Sequence, residues 1–283
     1  MLDFAVLMSC YKNDNPIFLK EAIESSYTNQ TLKPNAFYIM VDGPVGSNIE
    51  DVLSFYENKY PGIFIVNRLP VNKGLGNALR VGVELSKFEY IVRMDSDDIS
   101  KETRFEKLIE CAENNPEYAI IGSYTAEFES NPNDIMSVRT LKSTQHEIFA
   151  QSKKRSPVSH VSVVLKRSAV LDSGNYMDFL LYEDYYLWVR MLQKGYKFYN
   201  ISEILVFVRT DKDRYKRKGS KLYIDSTKKF QSYLLESGYI NKGEYMRNSY
   251  GRILVAIIPS GFRKIIYEKI LRVHPQKFNF NKT

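Results

Sequence analysis

Three carboxylates stand close together in the run Asp95-Ser96-Asp97-Asp98, directly after the predicted strand Tyr90-Ile91-Val92-Arg93-Met94. Carboxylates at this spacing repel one another, so a compensating cation is expected beside them. Magnesium and manganese prefer oxygen ligands from one or two carboxylates together with phosphate. The run is also compatible with a solvated loop in which Asp98 or Ser100 caps the following helix. Its position at the end of an apolar strand favours a divalent-metal site that faces a phosphorylated ligand.

Two further groups could take part in chemistry. The loop Asn72-Lys73-Gly74-Leu75-Gly76-Asn77 opens a predicted helix, whose free amides and dipole favour an anion. Its glycine spacing matches neither the dinucleotide fingerprint nor the P-loop, and an ordinary turn explains it equally well. The pair Glu183-Asp184 precedes another predicted helix. One of these carboxylates could act as a general base, or the pair could simply stabilise the helix N-terminus.

Alternating strands and helices must position these groups. Apolar runs predict strands at residues 4–8, 36–41, 63–66 and 90–94, with helical periodicity between them. Such alternation is typical of a parallel sheet with right-handed crossovers, whose ligands bind at the carboxyl ends of the strands. Polar groups follow three of these strands, at Tyr11, Asp42 and Asp95. Later strands are predicted at 119–122 and 161–165, and helices at 105–112 and 185–192.

The 283 residues fit one large α/β domain with an appendage, or two small domains. The net charge of +7 is unevenly spread, because residues 209–283 contain 18 Lys and Arg against 6 Asp and Glu. We therefore predict a catalytic domain at 1–208 and a basic helical region at 209–283 that meets something anionic. Pro259 and Gly261 should divide the apolar and basic stretch 250–272 into two short helices. Such helices can lie on an anionic membrane or pack on the catalytic domain.

The apolar runs, the start of the chain and the cysteines indicate the cellular compartment. The sequence has no run of about 18 apolar residues, and the start of the chain lacks the features of a secretory signal. Cys10 and Cys111 have no metal-ligand spacing, so reduced thiols are expected. We expect a cytoplasmic enzyme.

In their order along the chain, these motifs resemble family-2 glycosyltransferases of the GT-A type. The resemblance covers about residues 4–215 and is carried by Ser9-Cys10-Tyr11, Val41-Asp42-Gly43, Asn72-Lys73-Gly74, Met94-Asp95-Ser96-Asp97-Asp98 and Tyr182-Glu183-Asp184. The chain is especially similar to bacterial enzymes that build O-antigen, capsule or exopolysaccharide repeat units, such as the amylovoran-type transferases. The resemblance implies a mostly parallel Rossmann-like sheet flanked by helices.

The resemblance also implies a reaction and its partners. A hexose would pass from a UDP-sugar, with inversion, to a hydroxyl of a polyprenyl-diphosphate-linked saccharide, with Mn²⁺ or Mg²⁺ as cofactor. The basic region would contact the inner face of the cytoplasmic membrane, and no nucleic acid would be bound.

The resemblance assigns roles to individual residues. Asp97 would hold the metal, and Asp184 would be the catalytic base with Glu183 beside it. His160 could line the acceptor site, although a lone histidine is more often structural. The donor nucleotide would be bound by six residues, with Tyr11 beside the uracil ring and Lys73 near the diphosphate: Ser9, Tyr11, Asp42, Lys73, Asp95 and Ser96.

Two other classes of protein share some of these features. A sugar nucleotidyltransferase also combines an α/β sheet, Mg²⁺ and a nucleotide, but it usually needs a glycine-rich loop where this chain has Ser9-Cys10-Tyr11-Lys12. A basic nucleic-acid-binding protein could use the C-terminal charge and some of the 21 tyrosines. No nucleic-acid-binding motif is present in the sequence.

Overall fold

The computed structural model describes residues 1–210, 219–259 and 262. The strands are β1 Phe4–Cys10, β2 Ala36–Val41, β3 Phe64–Arg68, β4 Tyr90–Met94, β5 Ile99–Ser100, β6 Tyr118–Phe128, β7 Ser137–Arg139, β8 Val164–Lys166 and β9 Lys197–Arg209. The α-helices are α1 Pro16–Ile23, α2 Ser47–Lys59, α3 Leu75–Leu85, α4 Arg104–Asn114, α5 Gln145–Ser152, α6 Arg167–Asp172, α7 Glu183–Gln193, α8 Lys221–Glu236 and α9 Lys242–Ile257. A π-helical turn, Glu24–Thr28, continues α1.

The nine strands form one sheet in the order β3-β2-β1-β4-β8-β6-β9-β5, with β7 beside β6. The pairs β1–β2, β1–β4, β2–β3 and β6–β9 are parallel, whereas β8 runs antiparallel between β4 and β6. In register, Cys10 lies beside Val41 and Met8 beside Met94. The polar loops after β1, β2 and β4 therefore meet at one edge, as the alternation predicts.

Helices cover both faces of the sheet, which explains why its central strands are almost continuously apolar. Along β1, Ala5 and Leu7 pack into the core layer with α3, α6 and α7. Phe4, Val6 and Met8 point into the opposite layer, with α1, α2 and α4. This period of two fixes which side chains emerge on each face at the end of a strand.

The predicted strand at 161–165 is wrong in its first half, because His160–Ser162 forms a 3₁₀ turn and β8 begins only at Val164. The Ser162 hydroxyl accepts from the Ser123 amide (3.1 Å) and donates to the Ser123 carbonyl oxygen (3.0 Å). A side chain thus replaces the backbone ladder at this point.

Strand β9 has no clear apolar pattern in the sequence, since Asn200, Ser202 and Glu203 interrupt it. Its pairing with β6 contains register shifts at Ser123, Tyr124 and Thr125. Irregular pairing of this kind breaks the alternation that would reveal a strand. Tertiary contacts, not a periodic pattern, define this strand.

The described part of the C-terminal region packs on the sheet domain. Phe230 and Leu234 of α8 are fully buried in the layer that contains α7. The Phe230 ring stacks on Tyr182, with centroids 4.6 Å apart.

Helix α9 ends just before Pro259, as expected, and the second predicted short helix lies outside the described residues. None of the helices in the described ranges is long and apolar enough to cross a bilayer.

Replacing Phe230 by Ala should test this packing. The change removes a fully buried ring and should lower the free energy of unfolding by about 3–5 kcal/mol. Lys228→Ala, at an exposed position on the same helix, is the control and should change it by less than about 0.5 kcal/mol. Urea denaturation measures both. Unchanged unfolding of the Phe230 variant would show that α8 does not stabilise the sheet domain.

Candidate active site

Two adjoining cavities lie at the edge where β1, β2 and β4 end. The first, which we call the donor cavity because it contains most of the residues expected to bind the donor, has a volume of about 570 Å³. It brings together six of the residues singled out from the sequence: Ser9, Tyr11, Asp42, Asp95, Ser96 and Asp97. Cys10, Asp14, Asn72, Gly74 and Leu75 complete its lining.

The second cavity, which we call the acceptor-side cavity, has a volume of about 440 Å³ and shares Gly74 and Leu75 with the first. Lys73 and Glu183 both line it, together with Arg80 and residues 174–180. Asp184 is partly buried next to Glu183 and is not among the lining residues of either cavity. Lys73 therefore lies next to the two residues that the cavities share, and only Glu183 of the Glu183-Asp184 pair reaches a cavity.

Asp42 holds the glycine loop in place. Its two carboxylate oxygens accept hydrogen bonds from the amides of Lys73 (2.9 Å) and Gly74 (2.8 Å). The Asn72 side chain donates to the Asp42 carbonyl oxygen (2.9 Å). Gly43 adopts φ +83°, and a Cβ there would lie 2.6 Å from the Asn72 backbone nitrogen. The turn after β2 therefore requires glycine. Asp42 holds the Asn72-Lys73-Gly74 loop in position, a role that is separate from the nucleoside contact expected from the sequence.

The acidic run forms a compact cluster, in which one carboxylate oxygen each from Asp95, Asp97 and Asp98 lies within 4.8 Å of the others. Asp98 is buried and accepts a hydrogen bond from the Arg209 amide (2.8 Å). Asp97 is exposed at the donor cavity. Desolvation, reinforced by the negative charges of Asp95 and Asp14, raises the pKa of Asp97 to about 6. The cluster is thus an anionic site that could hold a divalent cation.

Asp14 is a fourth carboxylate at this site, and sequence reasoning missed it. It accepts hydrogen bonds from the Ser96 hydroxyl (2.7 Å) and the Tyr11 amide (3.2 Å). Burial raises the pKa of Asp14, although these two hydrogen bonds oppose the rise. Its place in the polar stretch after β1 was the available signal.

Arg93 is the second missed residue, because it stands inside an apolar strand. Its side chain is 1% exposed and forms an ion pair with Asp95. Among the described residues, Arg93 Nε and Nη1 have no hydrogen-bond acceptor. The same positive charge lowers the pKa values of Glu183 and Asp184, against the effect of burial. Arg93 thus links the acidic loop electrostatically to the start of α7.

The Glu183-Asp184 pair occupies the first turn of α7. Burial, and then the neighbouring Asp184, raise the pKa of Glu183 to about 7. Burial also raises the pKa of Asp184, while the Tyr185 amide, Arg139 and Arg93 oppose the rise. Carboxylates with raised pKa values are better proton acceptors near neutral pH.

His160 does not line either of the two cavities. Its Nε2 pairs with the Tyr176 hydroxyl at 2.9 Å, and Tyr176 itself lines the acceptor-side cavity. Burial, and then the nearby Arg93, hold the pKa of His160 well below its ordinary value, so the ring is neutral. His160 is placed to orient Tyr176, and an acceptor role for it stays a prediction.

Solved structures share this fold. The mannosyltransferase PcManGT from Pyrobaculum calidifontis, in complex with GDP-Man and Mn²⁺, aligns with a TM-score of 0.61 and 10% identity, over 94% of this chain and 77% of that one. Staphylococcus aureus TarS 1-349 in complex with UDP-GlcNAc aligns with a TM-score of 0.60 and 13% identity, over 90% and 72%. The chain therefore has the GT-A fold.

Sequence comparison gives the family. The chain is 36% identical over 269 residues to the UDP-Gal:alpha-D-GlcNAc-diphosphoundecaprenol beta-1,3-galactosyltransferase of Escherichia coli, covering 95% of this chain and 96% of the relative. It is 30% identical to the amylovoran biosynthesis glycosyltransferase AmsE of Erwinia amylovora, over 94% and 98%. Residues 90–273 match the model of glycosyl transferase family group 2. Residues 5–172 match that of glycosyl transferase family 2, and the chain belongs to this family.

Proposed function

We propose that this glycosyltransferase moves a hexose from a UDP-sugar to a hydroxyl of a lipid-diphosphate-linked saccharide during surface polysaccharide biosynthesis. The donor cavity carries the proposal, because it joins Tyr11 and Asp42 to the carboxylate cluster at the carboxyl ends of three parallel strands. The substrates named for the Escherichia coli relative, and the UDP-GlcNAc bound to TarS, support this choice of donor and acceptor. Tyr11 is 41% exposed, so its ring is free to lie against uracil.

The residues of the acidic loop fit a divalent cation, either Mn²⁺ or Mg²⁺. Asp95 is paired with Arg93, and Asp98 accepts from the Arg209 amide, so Asp97 is the carboxylate most available as a ligand. A cation at this position would neutralise the negative charge on the departing diphosphate. It would also offset the desolvation, and then the repulsion from Asp95 and Asp14, that raise the pKa of Asp97.

The Glu183-Asp184 pair would take part in removing the proton of the acceptor hydroxyl. In the proposed mechanism, Asp184 accepts the proton of the acceptor hydroxyl, and Glu183 orients the acceptor along the acceptor-side cavity that it lines. The hydroxyl oxygen forms its bond to the anomeric carbon on the face opposite the diphosphate, whose bond to that carbon breaks. A single displacement inverts the configuration, so a UDP-α-sugar would give a β-linkage.

A lipid-linked acceptor places the reaction at a membrane surface. We propose that the enzyme works at the inner face of the cytoplasmic membrane and that its basic region, 209–283, contacts anionic headgroups.

Membership of a glycosyltransferase family argues against the two alternative functions considered from the sequence, a nucleotidyltransferase and a nucleic-acid-binding protein.

Asp97→Ala should abolish transfer. Losing the most available metal ligand should lower kcat/KM by about 1000-fold, the size of effect seen when one charge-stabilising group is removed. EDTA should have the same effect on the unmodified enzyme. UDP release from UDP-galactose and UDP-glucose, with a short-chain lipid-diphosphate acceptor, measures both. Asp51→Ala, at an exposed position on α2, is the matched control and should retain full activity. Full activity of the Asp97 variant would refute the metal assignment.

Asp184→Asn should stop the chemical step while sparing donor binding. Removing a general base should lower kcat by about 100- to 10,000-fold, with the Kd for UDP changed less than about threefold. Single-turnover kinetics and UDP titration separate the two quantities. Near-normal kcat would mean that Asp184 is not the base, and Glu183→Gln would then be the variant to test for that role.

Glu183→Gln should stabilise the protein at alkaline pH. The pKa of Glu183 is raised from 4.5 to about 7 in the folded state, so the folded state favours the protonated form. The wild-type protein should therefore lose stability as pH rises from 4.5 to 7, and the glutamine variant should avoid this loss. Between pH 5 and pH 8 the relative gain should be about 2–3 kcal/mol. Urea denaturation at both pH values tests this, and an equal difference at both would contradict the raised pKa.

A further inference from the structure

Helix α9 packs on the protein through a mixed face, in which Tyr245 and Ala256 lie beside buried polar side chains. Asn248 and Ser249 are buried, and the Asn248 side chain donates to the Lys153 carbonyl oxygen (2.7 Å). Arg252 donates to the carbonyl oxygen of Lys154 (2.7 Å). These hydrogen bonds fix which face of α9 points towards the α5 end of the domain.

The opposite face of α9 is apolar and exposed. Met246, Tyr250, Leu254 and Ile257 have exposed fractions of 52%, 59%, 62% and 69%. Their spacing of four, four and three residues places them on one side of the helix, and we call them the apolar stripe. At a rise of 1.5 Å per residue the stripe is about 16 Å long.

The exposed side of α9 departs from the usual arrangement. A surface helix normally buries its apolar side against the core and exposes its polar side. A continuous exposed set of large apolar groups is typical of a surface that meets another molecule or a membrane. The hydrogen bonds of Asn248 and Arg252 exclude the simple alternative that the helix turns its apolar side inward.

The charges around the stripe favour an anionic partner. At 100° per residue, the exposed Lys242 and Arg247 lie on its two sides. Helix α9 as a whole contains Lys242, Arg247 and Arg252 but only Glu244 as an acidic residue. Two copies of this surface would bring like charges together, whereas anionic headgroups would neutralise them.

We propose that the apolar stripe of α9 inserts into the headgroup region of an anionic bilayer, with the helix parallel to the membrane plane. This inference rests on the proposed function, in which region 209–283 contacts anionic headgroups. It adds the helix and the side chains that make this contact and hold the enzyme where a lipid-linked acceptor lies. Arg252, on the inner face of α9, is close enough to the buried Tyr182 to oppose the rise in pKa that burial causes there, and Tyr182 directly precedes Glu183 in the chain.

Vesicle co-sedimentation of the full chain tests the proposal. The probes are vesicles of phosphatidylcholine alone and vesicles with one third phosphatidylglycerol. The unmodified protein should bind the anionic vesicles at least about tenfold more tightly, because each cation near the surface contributes to binding. The double variant Leu254→Ser/Ile257→Ser should lose at least about tenfold of this affinity, because two buried apolar side chains are removed. Phe55→Ser, which changes a 53% exposed side chain on α2, is the control and should bind normally.

The outcomes separate this proposal from the proposed function. The double variant should keep its turnover with a water-soluble acceptor, whereas Asp97→Ala should lose turnover and still bind vesicles. Unchanged vesicle binding by the double variant would overturn the docking surface, whatever the activity. A dimer in sedimentation velocity that becomes monomeric in the double variant would also overturn it, because a second copy would then cover the stripe. Failure of the wild-type protein to transfer any hexose would instead refute the proposed function.

Discussion

Repulsion among four carboxylates is the constraint around which this site is built. Asp14, Asp95, Asp97 and Asp98 converge where β1 and β4 end, and desolvation strengthens the interaction between their charges. An arrangement of this kind is costly unless cations compensate it. The protein supplies part of this compensation through Arg93, and it leaves Asp97 exposed at the cavity. The remaining negative charge is the physical reason to expect a bound divalent ion.

Arg209, which is distant in sequence, also holds the acidic loop in position. Arg209, at the end of β9, donates its amide to Asp98 and its Nε to the Asp97 carbonyl oxygen (3.0 Å). Its guanidinium also donates to Glu21 (2.6 Å) and lies over the ring of Phe18, 3.9 Å from the centroid. One side chain thus joins the acidic loop, α1 and the last strand of the sheet. The loop geometry therefore depends on residues more than 100 positions apart in sequence.

Much of this could be predicted from the sequence because it depends on local patterns. Apolar runs revealed the parallel strands, and the polar residues at their ends converge as expected for such a sheet. Arg93 and the carboxylate of Asp14 were missed because their roles depend on neighbours that the chain brings together only on folding. Strand β9 was missed for the same reason, because its pairing with β6 is irregular. The 3₁₀ turn at His160–Ser162 was also missed, because there the Ser162 side chain takes the place of backbone hydrogen bonds to β6. The exposure of the apolar stripe of α9 also becomes visible only when the hydrogen bonds of this helix to Lys153 and Lys154 are known.

The central claim is that Asp97 in the acidic loop would hold a divalent cation that neutralises the diphosphate of the donor. The most direct measurement is anomalous diffraction at the manganese edge from crystals soaked with UDP and Mn²⁺. The account predicts one strong peak within coordination distance of an Asp97 carboxylate oxygen and of diphosphate oxygens. UDP bound in the donor cavity with no manganese peak at Asp97 would contradict it.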